Sequence, residues 1–160
     1  MVKKAEVDFL NWASFPSSLK LVNDEATWFV PIISLWIPVK PGSKIDVKVK
    51  AKSERNAPID STLSFLWARN VLLKDVLRIH FPSGAFQWST FKGSFVVASD
   101  VDKIQAGFMV SPSLLWVDDL RIYQDGVLIY EDKFTGWGSL ISIPAPIVAG
   151  LGVVRFGKKG

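Results

Sequence analysis

The segment Ile45-Asp46-Val47-Lys48-Val49-Lys50-Ala51-Lys52 alternates apolar and polar residues without a break. In an extended chain a period of two sends every second side chain to one face, so this pattern predicts a half-buried strand. Val47, Val49 and Ala51 then face a core and the lysines face water. Pro41-Gly42 marks a turn before it, and Ser53 to Pro58 reads as a loop after it. Leu77 to Phe81 alternates again, placing Arg78 and His80 opposite Leu77, Ile79 and Phe81, and stops at Pro82-Ser83-Gly84. Thr62 to Trp67, Thr90 to Ala98, Lys103 to Val110 and Leu114 to Tyr123 read as further strands. Asp125-Gly126 supplies the positive φ of a tight turn and predicts a hairpin with Val127 to Tyr130. Thr27 to Trp36 is an apolar run interrupted by Pro31. Asn70 to Val76 is the one segment that the pattern leaves open to a helix.

Strands recurring about every 8–12 residues with turns between them, and no βαβ alternation, predict an all-β fold. That spacing suits a sandwich or a barrel. A length of 160 residues suits one domain, expected over 1–137, with 138–160 as an apolar C-terminal arm or closing strands.

Composition narrows the function classes. Half of the chain is hydrophobic (49%), which excludes disorder. The net charge of +4 is scattered, with short clusters only at Lys3-Lys4 and Lys158-Lys159, so no nucleic-acid partner is expected. The absence of cysteine removes disulfides, thiolate zinc sites and a Cys nucleophile together. A cysteine-free chain rich in Lys, Ile and Val also suits a thermophilic setting. Glu6 and Asp8 stand where the apolar run of a signal peptide would follow Lys3-Lys4, so no signal peptide is legible. The uncharged stretch Gly138 to Val154 carries Pro144 and Pro146 and is too short for a membrane span.

Three motifs, in this order, resemble those of β-sandwich carbohydrate-binding modules. They are Trp36-Ile37-Pro38-Val39-Lys40-Pro41-Gly42 with the alternating strand behind it, Phe86-Gln87-Trp88-Ser89-Thr90-Phe91, and Leu115-Trp116-Val117-Asp118-Asp119-Leu120-Arg121-Ile122-Tyr123. The Asp-Asp strand is the most specific of them. Together they cover roughly residues 30 to 124. The family's Asn-Gly-x-Phe-Glu opening is absent, with only Glu6, Asp8 and Phe9 as an echo, and the chain continues past the point where such modules close. The resemblance implies a two-sheet antiparallel β-sandwich of the jelly-roll kind, glycan binding, and a structural calcium ion held by Asp118 with Glu6 or Asp8.

The residues themselves argue against an enzyme. His80 is the one histidine, and it has no nucleophile motif around it. Strict alternation would send Asp118 and Asp119 to opposite faces, so they are not expected to work as an acid–base pair. Indole rings stack on the C–H faces of sugars while polar groups take the hydroxyls. The expected ligand surface is accordingly Trp67, Arg69, Arg78 and His80 on one sheet face, with Trp28 as a further platform; Trp36, Trp88 and Trp116 are expected to be structural. Two functional readings follow. One is a non-catalytic module recognising a glycan by aromatic stacking. The other is a structural assembly subunit, a virion decoration or coat protein or an extracellular filament component. There, residues 138–160 would contact copies of the chain or other structural proteins in a homo-oligomer. Both place the protein outside the cell or on a virion surface.

Overall fold

Alternation and turn chemistry set the strands, and the computed structural model shows how they pair. It describes residues 2–14, 17–34, 36–57, 61–69, 72–135, 140–141 and 155–156, with 67–69, 72–75 and the last two pairs by backbone alone. The strands in chain order are β1 (Lys3–Asp8), β2 (Ser18–Asn23), β3 (Ile37–Pro38), β4 (Lys44–Asn56), β5 (Thr62–Arg69) and β6 (Leu72–His80). They continue with β7 (Phe86–Val96), β8 (Lys103–Met109), β9 (Ser113–Gln124), β10 (Val127–Asp132), β11 (Leu140–Ile141) and β12 (Arg155–Phe156).

Two antiparallel sheets face each other. The larger runs β1-β2-β9-β4-β7, with β10 also paired to β9, and the smaller runs β3-β8-β5-β6. Before β3, Phe29 and Ile32 bridge Val110 and Gly107, so the Pro31-interrupted run follows the far edge of β8 without becoming a regular strand. The inward set of β4 is the one the alternation gives: Val47, Val49 and Ala51 are buried, and so is Ile45. They meet Leu63, Phe65, Ile79, Phe81 and Phe108 from the smaller sheet. Phe81 packs edge-on to Phe91 with ring centroids 5.2 Å apart, a favoured aromatic geometry.

Two expected boundaries move. Ser53 to Asn56 continues β4 instead of looping out, because Arg55 and Asn56 find partners in Leu114 and Ser113. Leu72 to Val76 is strand, not helix. A register shift in β6, opposite Phe65 and Leu66, breaks the alternation that would have revealed it.

At one end of the sandwich the buried Asn56 side chain donates to the carbonyls of Phe81 and Pro82. Its Oδ1 accepts from the Ser61 backbone and from the hydroxyls of Ser61 and Ser111. A buried amide satisfied on both sides ties three connections together. Gly93 marks a close approach of the two sheets: a Cβ there would lie 3.0 Å from Ile79 Cγ1. The two positive φ values at Asp125 (47°) and Gly126 (83°) match the predicted hairpin turn. Of the C-terminal arm, β11 pairs with β12; the rest of residues 138–160, and with it the arm's expected subunit contacts, lies outside the described residues. Among the described residues no helix is long and apolar enough to cross a membrane.

Candidate functional site

Cross-strand register organises the outer face of the larger sheet into rows, because directly paired residues share a face. Ser94, Asp46 and Tyr123 form one row, and Lys92, Lys48 and Arg121 the next. Thr90, Lys50 and Asp118 follow, and then Lys52, Trp116 and Lys20. Three shallow depressions lie along these rows. The first, of about 360 Å³, is lined by Trp12, Trp88, Lys50 and Thr90. A second, of about 320 Å³, shares Lys50 and Thr90 with it and adds Lys48, Lys92, Asp119 and Arg121. The third, of about 640 Å³, shares Lys48 and Lys92 with the second and reaches Asp46, Ser94 and Tyr123. Shared walls make them one groove running along β4 and β7. From Ser94 to Trp88 along β7 its floor is roughly 20 Å long at the usual strand rise.

An irregularity in β9 shapes this groove. Asp119 sits at φ 50°, and the β4–β9 register shifts between Lys48 and Lys50. Such a bulge puts two successive residues opposite one, so the expected separation of Asp118 and Asp119 onto opposite faces does not occur. Both carboxylates meet outer-face partners. Asp119 takes Arg121 Nε at 2.9 Å and Lys50 Nζ at 3.4 Å. Asp118, fully buried, accepts the backbone N–H groups of Ala13 and Ser14 at 3.0 and 2.7 Å and the Ser14 hydroxyl at 3.1 Å. It thereby holds the β1–β2 loop, and Trp12 with it, at the groove. Burial raises the Asp118 pKa against the lowering effect of the N–H bonds from Ser14, Asp119 and Ala13.

Asp8 braces the same loop. It accepts from the Leu10 N–H at 2.7 Å, from Asn11 Nδ2 at 3.2 Å, and from Trp116 Nε1 at 2.7 Å. Burial pulls its pKa up, but these bonds together leave it below the ordinary carboxylate value. Trp116 lies under Lys52 and Lys20, with Nζ to ring-centroid distances of 5.0 and 5.8 Å. This ring is structural, as expected. Trp88 instead lines the groove.

The residues expected to hold calcium do not fit such a site. Calcium needs six to eight oxygen ligands with lone pairs to spare. Asp8 and Asp118 spend theirs on N–H and O–H donors, and Glu6 pairs with Lys4 at 3.1 Å and Lys20 at 3.9 Å. Among the described residues no three His, Cys, Asp or Glu gather as a ligand set.

The expected ligand surface is only partly brought together. Arg78 and His80 are exposed side by side on β6, paired with Ser64 and Thr62. Trp67 and Arg69 lie in β5, where their backbones pair with Lys74 and Leu72; their side chains fall outside the described residues. Trp28, 41% exposed, precedes the Phe29–Val110 bridge on the far side of β8. It is three strand spacings, roughly 14 Å, from β6. What sequence reasoning missed is the outer face of β4. Its alternating lysines were a visible signal, but only the pairing with β7 and β9 shows that they line a groove.

Known structures with this fold can now be compared. The CBM22-2 xylan-binding domain from Paenibacillus barcinonensis superposes with a TM-score of 0.57 at 13% identity, over 76% of this chain and 87% of that one. A family 16 carbohydrate-binding module matches with a TM-score of 0.56 at 10% identity, over 76% of this chain and 86% of that one. The fold is that of the carbohydrate-binding-module sandwiches. It also occurs inside larger proteins. The enzymatically active domain of tailspike protein 4 from bacteriophage CBA120 matches with a TM-score of 0.55 at 15% identity, over 77% of this chain and 18% of that one. No protein-family model and no curated protein matches the sequence.

Proposed function

We propose that this domain is a non-catalytic glycan-binding module whose ligand lies along the groove over β4, β7 and β9. The observation that carries this reading is the placement of Trp12 and Trp88 on one depression beside Lys50 and Thr90. Two indoles offer flat apolar faces for sugar rings, while the ammonium and hydroxyl groups answer the ring hydroxyls. Tyr123 gives a further aromatic face at the other end of the groove. Trp12, 38% exposed, is presented by a loop that Asp118 and Asp8 hold in place, so the platform is built before a ligand arrives. The solved relatives add weight, since several are described as carbohydrate- or xylan-binding. Catalysis has no support in the groove: Asp118 and Asp119 are committed to fixed donors, and His80 lies on the other sheet.

Affinity electrophoresis against a panel of soluble polysaccharides, followed by calorimetry on any that retard the protein, tests the reading. Retardation that Trp88→Ala abolishes and Arg78→Ala leaves intact is the expected result. Retention that survives Trp12→Ala and Trp88→Ala together would move the site elsewhere.

A further inference from the structure

The groove carries more positive charge than its own carboxylates answer. Lys92, Lys48 and Arg121 stand directly opposite one another across β7, β4 and β9. Arg121 is compensated by Asp119 at 2.9 Å and Glu131 at 3.9 Å. Among the described residues Lys48 meets the Tyr123 ring, 5.6 Å from Nζ to centroid, and neither Lys48 nor Lys92 has a carboxylate in ion-pair range; Asp46, which lines the same depression, pairs with Lys44 at 3.6 Å. Like charges placed directly opposite in a sheet destabilise it. The pair also stands at the junction of two depressions, where both side chains line the wall. A sheet that carries two uncompensated, opposed cations over an open groove is set up for an anion that arrives with the ligand.

Resting on the glycan reading above, we infer that the preferred ligand is an acidic glycan, whose anionic group is bound between Lys48 and Lys92 while a ring of the same chain packs on Tyr123. Lys48 Nζ stands over the Tyr123 ring, so a sugar that takes this face moves the ammonium to the ring's edge, where it meets a substituent of the sugar. Charge-assisted bonds to a carboxylate or sulfate ester supply what neutral hydroxyls cannot. The anion also cancels the Lys48–Lys92 repulsion, so occupancy stabilises the sheet.

The test compares a glucuronate-bearing xylan, its carboxyl-reduced neutral counterpart and dextran sulfate, each titrated calorimetrically into the full chain, the Lys48→Ala/Lys92→Ala variant and Trp88→Ala. Binding of the uronate polymer about tenfold or more tighter than the neutral one, lost in the double-lysine variant, supports the proposal. The dextran sulfate arm tells carboxylate from sulfate as the preferred anion; tighter binding of either than of the neutral polymer is support where the double-lysine variant loses it, and overturns the proposal where that variant keeps it. Equal affinity for charged and neutral polymers, with Trp88 still required, overturns the charge inference and leaves glycan binding standing. No binding to any polymer overturns both. Lysine-dependent binding of single-stranded DNA in place of glycan would assign the row to another class of ligand and also overturn the proposal. A fold-level control comes from a double-mutant cycle on stability: Lys48→Ala and Lys92→Ala together should cost more than the sum of the two singly, because each single change already relieves the one repulsion. A favourable coupling between the two lysines would show that they do not repel, against the premise.

Discussion

Asp118→Ala should release the β1–β2 loop from the sheet, and the structure sets the size of the effect. The carboxylate accepts three bonds from the loop, at 3.0, 2.7 and 3.1 Å, and a fourth from the Asp119 N–H at 2.7 Å. The loop donors are half-buried, so water replaces part of what they lose, and each bond is worth about 1 kcal/mol net. Relief of the cost of burying the charge, which raises the Asp118 pKa, offsets part of the loss. A net destabilisation of about 2–3 kcal/mol results, or roughly 4–12 °C in melting temperature for a domain of this size. The pH dependence has a sign of its own. A carboxyl whose folded pKa lies above its unfolded value of 3.8 takes up a proton on folding, so wild-type stability falls as pH rises through the window just above 3.8. The variant lacks that fall. Urea unfolding at several pH values, with glycan titration of both proteins, reads all of these. Unchanged stability and an unchanged pH slope in Asp118→Ala would refute the idea that the carboxylate tethers the loop.

Other expectations follow from single contacts. Asp8 has a folded pKa below 3.8, so its contribution is present above that value and is lost as pH falls through the folded pKa; acid titration of Asp8→Asn should lack this loss. Asn56→Ala orphans Ser61 and Ser111 groups in a buried network and should cost about 2–4 kcal/mol by chemical denaturation. Gly93→Ala should cost about 1–3 kcal/mol through overpacking against Ile79 and Leu77, measured the same way. Because Asp8, Asp118 and Glu6 already have protein partners, EDTA or millimolar calcium should leave the melting temperature within about 1 °C; a calcium-dependent rise of several degrees would show that they regroup around the ion.

Elements whose boundaries are set locally were legible in the sequence. The lysine-alternating β4, the Asp125-Gly126 hairpin and the outward placement of Arg78 and His80 each follow from a period of two or from turn chemistry. The segments that misled are those where pairing overrides pattern. Ser53 to Asn56 looks like a loop by composition, yet β9 offers a backbone partner on one side and the strand continues. The segment 70–76, which the pattern leaves open, is decided in the same way over Leu72 to Asp75, whose partners lie on β5.

The candidate site was less legible because it is made by register. Lys48 and Lys92 are 44 residues apart, and nothing in either strand alone says that they meet. The bulge at Asp118 and Asp119 is equally silent: two adjacent aspartates in an alternating strand read as one inside and one outside. With Asp119 at φ 50° both turn outward, one to hold the Trp12 loop and the other to pair with Lys50 and Arg121. That division has a consequence for binding. Asp119 neutralises the middle of the groove and leaves the positive excess at Lys48 and Lys92, between the tryptophan platform and Tyr123. An extended acidic chain lying on both aromatic ends would cross that excess midway. An acidic residue introduced beside Lys92, as in Ser94→Asp, should therefore weaken acidic-glycan binding without touching either platform.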